Sequence, residues 1–129
     1  MPWLILILGC ECQTIVVSLK NVGIQSSREG IYQRAGKVNG KTSWISSINA
    51  LWFKRRWLIG PVHRHGDDYG GIGSTAYLGR SSCPYDVPND EWEKWDGFKW
   101  IIADANDVSI ECTAFGNLSL LRPLTLFSD

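Results

Sequence analysis

Seven tryptophans and one histidine-bearing loop are the features of this sequence that could do chemistry. Trp3, Trp44, Trp52, Trp57, Trp92, Trp95 and Trp100 each carry an indole, which either anchors a small core or offers a flat apolar face to a ligand. Exposed indoles stack on the C–H faces of sugar rings while neighbouring Asn, Asp and Arg groups bond the hydroxyls. Trp52, Trp92 and Trp95 are the candidates for that role, with Arg55 and Arg56 nearby. Strand alternation assigns Trp57 and Trp100 to core faces instead. Lys54, Arg55 and Arg56 lie between Phe53 and Trp57, a pattern that can hold anionic glycans or single-stranded nucleic acid. The plainer reading of that triplet is a solubilising hairpin tip.

The second constellation is His63-Arg64-His65-Gly66-Asp67-Asp68. In an extended segment His63 and His65 project to one side, and Asp67 could complete a three-ligand metal site serving a small hydrolase. The plainer reading is a solvated loop. Gly70-Gly71-Ile72-Gly73-Ser74-Thr75 superficially resembles a phosphate loop but lacks the lysine and the following helix that such a loop needs. Acidic residues between Asp86 and Glu93 and between Asp104 and Asp107 could bind Ca²⁺ or act as paired carboxylates. They lack EF-hand spacing and read as acidic loop tips. No G-x-S-x-G elbow occurs, so the chain is expected to be non-catalytic, with no cofactor.

Thirteen basic and thirteen acidic residues cancel, which removes any whole-molecule attraction for a phosphate backbone. Nucleic acid is therefore not an expected partner. Cys10 and Cys12 are too close along one strand to bond each other comfortably. One of them is expected to pair with Cys112 and the other with Cys83, which implies an extracellular, secreted setting. Asn117-Leu118-Ser119 is a glycosylation sequon, informative in that setting. Trp3 to Leu8 is continuously apolar, far short of the roughly 20 residues a spanning helix needs. It reads as a first strand or the remnant of a signal segment.

The elements that must position these residues are short strands and turns. Gln13 to Leu19 is β-branched, with Ile15, Val17 and Leu19 on one face. Asn39-Gly40 predicts a type I′ hairpin pairing Ala35 with Trp44 and Tyr32 with Ser47. Ala50 to Gly60 predicts a second hairpin, with Phe53 opposite Trp57, Leu51 opposite Ile59 and Trp52 opposite Leu58. Both its faces are apolar, so the outer one must be covered or must bind something. Asp90 to Trp95 predicts one or two helical turns stopped by Gly97. Phe98 to Ala103 and Val108 to Thr113 alternate cleanly and predict a further hairpin. Ser74 to Leu78 and Leu118 to Leu121 are candidate short strands.

Gly30-Ile31-Tyr32, Gly36, Asn39-Gly40, Trp44, Ala50-Leu51-Trp52 and Trp57-Leu58-Ile59-Gly60 follow in order. This pattern resembles tryptophan-rich modules of secreted and multidomain proteins in marine animals and protists, with Pro84, Pro88 and Trp92 matching their later proline and tryptophan loop. The resemblance runs from Cys12 to Cys112 and implies no activity. The expected fold is all-β: a compact antiparallel sandwich or small barrel of about 6–8 short strands. Residues 1–9 form an apolar N-terminal segment, 10–113 a single β domain and 114–129 a tail. The expected function is a secreted carbohydrate-binding, lectin-like module. A protein-interaction domain of an extracellular assembly is the alternative, and the His63/His65 hydrolase the second.

Overall fold

The structure is a computed structural model and describes residues 10–75 and 83–114. Trp3 and the apolar N-terminal segment, the strand expected over Leu118 to Leu121 and the Asn117 sequon lie outside the described residues. The chain is all-β. The strands are β1 (Thr14–Leu19), β2 (Gly30–Val38), β3 (Lys41–Ile45), β4 (Asn49–Phe53), β5 (Trp57–Pro61), β6 (Ile72–Ser74), β7 (Trp92–Trp95), β8 (Trp100–Ile102) and β9 (Val108–Ala114). They form one curled, antiparallel half-barrel sheet in the order β8-β7-β6-β5-β4-β3-β2-β1-β9. From β1 to β8 each strand pairs with the next in sequence, and β9 returns to the far side of β1.

Two hairpins follow their turn chemistry. Asn39 and Gly40 adopt φ of 55° and 85°, as a type I′ turn requires, and pair Val38 with Lys41 and Lys37 with Thr42. An irregularity between Arg34 and Lys37, where Gly36 has φ 95°, then shifts the ladder. Trp44 therefore faces Arg34 rather than Ala35, and Tyr32 pairs with Ile15 of β1 rather than with Ser47. The one-residue shift turns Tyr32 and Trp44 to the same side, and both are fully buried. In the β4–β5 hairpin, Phe53↔Trp57, Trp52↔Leu58 and Leu51↔Ile59 pair as the two apolar runs around a charged tip predict.

Two expectations are corrected. The segment before Gly97 is strand β7, not a helical turn. Its partner is β8, with Trp95↔Trp100 and Lys94↔Ile101. Four residues, Asp96 to Lys99, form the connection. Asp96 Oδ1 accepts from the amides of Phe98 and Lys99 at 2.7 and 2.9 Å, which fixes that turn. The second correction is that β8 and β9 do not pair. They are opposite edges of the sheet, and β9 lies on β1 with Leu19↔Val108 and Val17↔Ile110. The short link from Ile102 to Val108 holds those edges within reach, since a residue spans at most about 3.6 Å.

The main core fills the concave side with Ile15, Val17, Tyr32, Trp44, Leu51, Trp57, Ile59, Ile72, Trp92 and Val108. Cys10–Cys83 and Cys12–Cys112 are disulfide-bonded, as the spacing argument expected. Ala50, Trp52 and Leu58 form a smaller cluster on the opposite face, joined by Val38, Ile45, Val62 and Trp100. The apolar outer face of β4–β5 is thus covered, not left open: the Trp52 indole N–H donates to the Asp67 carbonyl at 2.9 Å, and the His65 ring packs edge-on at 5.7 Å.

Buried indoles differ in one testable way. Trp44 Nε1 donates to the Cys12 carbonyl at 2.8 Å, whereas the buried Nε1 atoms of Trp57 and Trp92 have no hydrogen-bond partner. Trp44→Phe is expected to cost roughly 1–3 kcal/mol more than Trp92→Phe, because the first strands a buried carbonyl while the second removes an unsatisfied donor. Urea denaturation of both variants reads the difference; equal losses would contradict it.

Candidate functional site

The candidate site is an outward cleft of about 230 Å³ built by three segments distant in sequence. The β7–β8 hairpin supplies Trp95 and Trp100, the 3-10 segment Gly23–Arg28 supplies Gln25 and Arg28, and the loop before β6 supplies Asp68 to Gly71. Side chains alternate along a strand, so Trp95, three residues after the inward Trp92, points to the other face. Trp100 stands directly across from it. The two half-buried indoles meet edge to face, with centroids 5.6 Å apart and planes at 67°. Tyr69 is 49% exposed, and the Arg64 guanidinium lies 4.2 Å over its ring.

A chain of amide groups sets the floor. Gln25, only 5% exposed, donates from Nε2 to the Trp95 carbonyl at 3.0 Å and accepts from Arg28 Nε at 3.1 Å. Arg28 Nη1 donates to Asn49 Oδ1 at 2.6 Å, and Asn49 Nδ2 donates in turn to the Ser27 carbonyl at 2.8 Å. The buried Tyr32 hydroxyl donates to the Arg28 carbonyl, and burial pushes that phenol well above its ordinary pKa, so it remains a neutral donor. Gly71 is required beneath Gln25, because a Cβ there would stand 1.7 Å from Gln25 Oε1.

The residues expected from sequence divide sharply. Trp95 lies in the cleft. Trp52 and Trp92 are fully buried and present no face to a ligand, so neither is a stacking residue. Arg55 is exposed and pairs with Asp68 at the cleft. Arg56 is not at a solvated tip. It is 5% exposed, lies 4.3 Å over the Trp100 ring, and bonds Glu93 Oε1 at 2.7 Å and the Ser74 carbonyl at 3.2 Å. Its role is to back the indole from beneath.

The His63, His65 and Asp67 set is not assembled. His65 packs on Trp52, Asp67 Oδ2 lies 3.0 Å from Arg64 Nε, and His63 is exposed. Among the described residues no group of three or more His, Cys, Asp or Glu is arranged to hold a metal ion. The loop serves as a cover for Trp52. Within the two acidic stretches, Glu93 holds Arg56, and Asp107 Oδ1 accepts from Asn21 Nδ2 at 3.2 Å.

His65 Nε2 is buried without a partner, and desolvation lowers its pKa below the usual 6.5. The folded state thus prefers neutral imidazole, and the unfolded chain binds the proton more readily. The His65 contribution is present above the ordinary histidine pKa and is lost as pH falls below it. Melting temperatures at pH 7.5 and 5.0 are expected to differ less in His65→Phe than in the unmodified protein; an unchanged difference would refute this.

Sequence reasoning missed Trp100, Tyr69, Gln25, Arg28 and Asp68. Trp100 shares a face of β8 with Ile102 as expected, but that face points outward: Ile102 is 56% exposed, and Phe98, in the preceding turn, is 89% exposed. No protein-family model, curated protein or solved structure matches the chain.

Proposed function

We propose that this chain is a secreted, non-catalytic binding module whose ligand is a carbohydrate seated on the Trp95–Trp100 shelf. The observation that carries the reading is the pair of half-exposed indoles at the mouth of a cleft furnished with donors and one carboxylate. A sugar ring offers an apolar C–H face to the indole and hydroxyls to Arg28, Asp68 and Tyr69. The cleft is smaller than the roughly 300–1,000 Å³ of sites for drug-sized ligands, which suits a single ring and its substituents. Two disulfides support an extracellular setting. Among the described residues no helix is long and apolar enough to cross a membrane.

A glycan array combined with quenching of tryptophan fluorescence tests the reading. Trp95→Ala is expected to weaken binding about tenfold or more, equivalent to about 1.4 kcal/mol, with little change in melting temperature. An array without a hit removes the proposal. A protein partner is the second reading, favoured by exposed Phe98, Ile24 and Ile102, of which Phe98 and Ile24 flank the same hairpin turn at Gly97. Loss of binding in Phe98→Ser with Trp95→Ala unaffected would select it.

A further inference from the structure

Among the described residues, Arg34, Arg55, Arg56 and Arg64 each reach a carboxylate: Glu11, Asp68, Glu93 and Asp67. Arg28 does not, although it is half-buried. Both of its side-chain contacts are neutral amide oxygens, Gln25 Oε1 at 3.1 Å and Asn49 Oδ1 at 2.6 Å. Amide oxygens orient a guanidinium and leave its charge uncompensated. The amides are themselves anchored, Gln25 to the Trp95 carbonyl and Asn49 to the Ser27 carbonyl, so the cation is held in a set position beside the aromatic shelf. Neither contact uses Nη2. The other charged group lining the cleft, Asp68, is already neutralised by Arg55. The unbalanced charge of the cleft is therefore that of Arg28.

We infer that the saccharide taken by this cleft is acidic, with a ring carboxylate or a sulfate ester docked on Arg28 while the ring lies on Trp95. This rests on the carbohydrate reading above. A planar guanidinium with free N–H groups gives short, charge-assisted bonds to either oxyanion. Gln25 bonds both Arg28 and the backbone of Trp95, so the oxyanion and ring subsites are joined through one side chain. A neutral sugar in this cleft would leave the cation without a counter-charge.

The test compares matched ligands on the unmodified protein. A uronic-acid oligosaccharide is titrated beside its carboxyl-reduced form, and a sulfated one beside its desulfated form, with tryptophan fluorescence as readout at low and high salt. At least tenfold weaker binding of a neutral form, with the gap narrowing as salt rises, is the expected result. Which pair shows the gap identifies the oxyanion. Arg28→Gln is expected to bind acidic and neutral forms alike, and Arg28→Lys to keep part of the preference. Equal affinity for both members of both pairs overturns the inference and leaves the carbohydrate reading standing. Binding of neither member of either pair, with an array also blank, removes both. Because the matched ligands act on the unmodified chain, poor folding of an Arg28 variant does not blunt the comparison.

Discussion

Replacing Cys12 and Cys112 together by alanine is expected to lower stability by roughly 4–5 kcal/mol on the chain-entropy model of a 100-residue loop. The bridge ties the residues just before β1 to β9, the strand that leaves the otherwise sequential meander to close on its far side. Contacts between β1 and β9 join residues about 90–100 positions apart, such as Leu19 with Val108 and Ile15 with Cys112, and without the crosslink that loop must be closed by pairing alone. Cys12 is also fully buried, and its carbonyl receives the Trp44 indole N–H, so slack there reaches the main core. Alanine is the right substitute because serine would add a buried hydroxyl. Domains of this size are stable by about 5–15 kcal/mol, so a fall in Tm on the order of 15 °C is expected. Calorimetry with Cys10–Cys83 intact reads it. A fall of only a few degrees would mean that the β1–β9 ladder closes the sheet unaided.

How far the fold was legible depended on how local each contact is. The β4–β5 register follows from residues within a few positions of each other, and it appears as the sequence predicts. Alternation also correctly grouped Trp100 with Ile102, and Val108 with Ile110 and Cys112, whereas Phe98 lies in the turn before β8. It reports which side chains share a face, however, and not which face meets the core. The first group faces out, while Val108 and Ile110 face in. Which strand β9 joins is a non-local fact, for which cysteine spacing was the only signal. The candidate site was the least legible part. Trp95 was recoverable as an aromatic of interest, but Gln25 reaches its carbonyl across 70 residues, and nothing in a polar loop announces that partner. Trp52 misled because an apolar outer face can be satisfied by a covering loop as well as by a ligand, and here the histidine-bearing loop covers it.

Gly71→Ala is expected to damage both the fold and the cleft, and the cause can be isolated. Gly71 is not among the positive-φ glycines, so alanine meets no backbone strain there. The whole effect comes from contact: a Cβ would lie 1.7 Å from Gln25 Oε1, 2.3 Å from its Cδ and 2.9 Å from its Nε2. An exposed glutamine would swing aside at little cost. Gln25 is buried and bonded at both ends, so displacing it breaks the bond to the Trp95 carbonyl and the bond from Arg28. A neutral bond contributes about 0.5–1.5 kcal/mol and a charged one about 1.5–3, so a total loss of roughly 2–4 kcal/mol is expected. Arg28 would lose one of its two anchors, and ligand affinity should fall with stability. Gln25→Ala breaks the same bonds and makes room for the new methyl. The double variant should therefore be no less stable than Gly71→Ala alone, a non-additivity of about 2 kcal/mol or more in a double-mutant cycle followed by urea denaturation. Strict additivity would show that Gly71 acts through some contact other than Gln25, and the amide chain beneath the cleft would no longer account for its architecture.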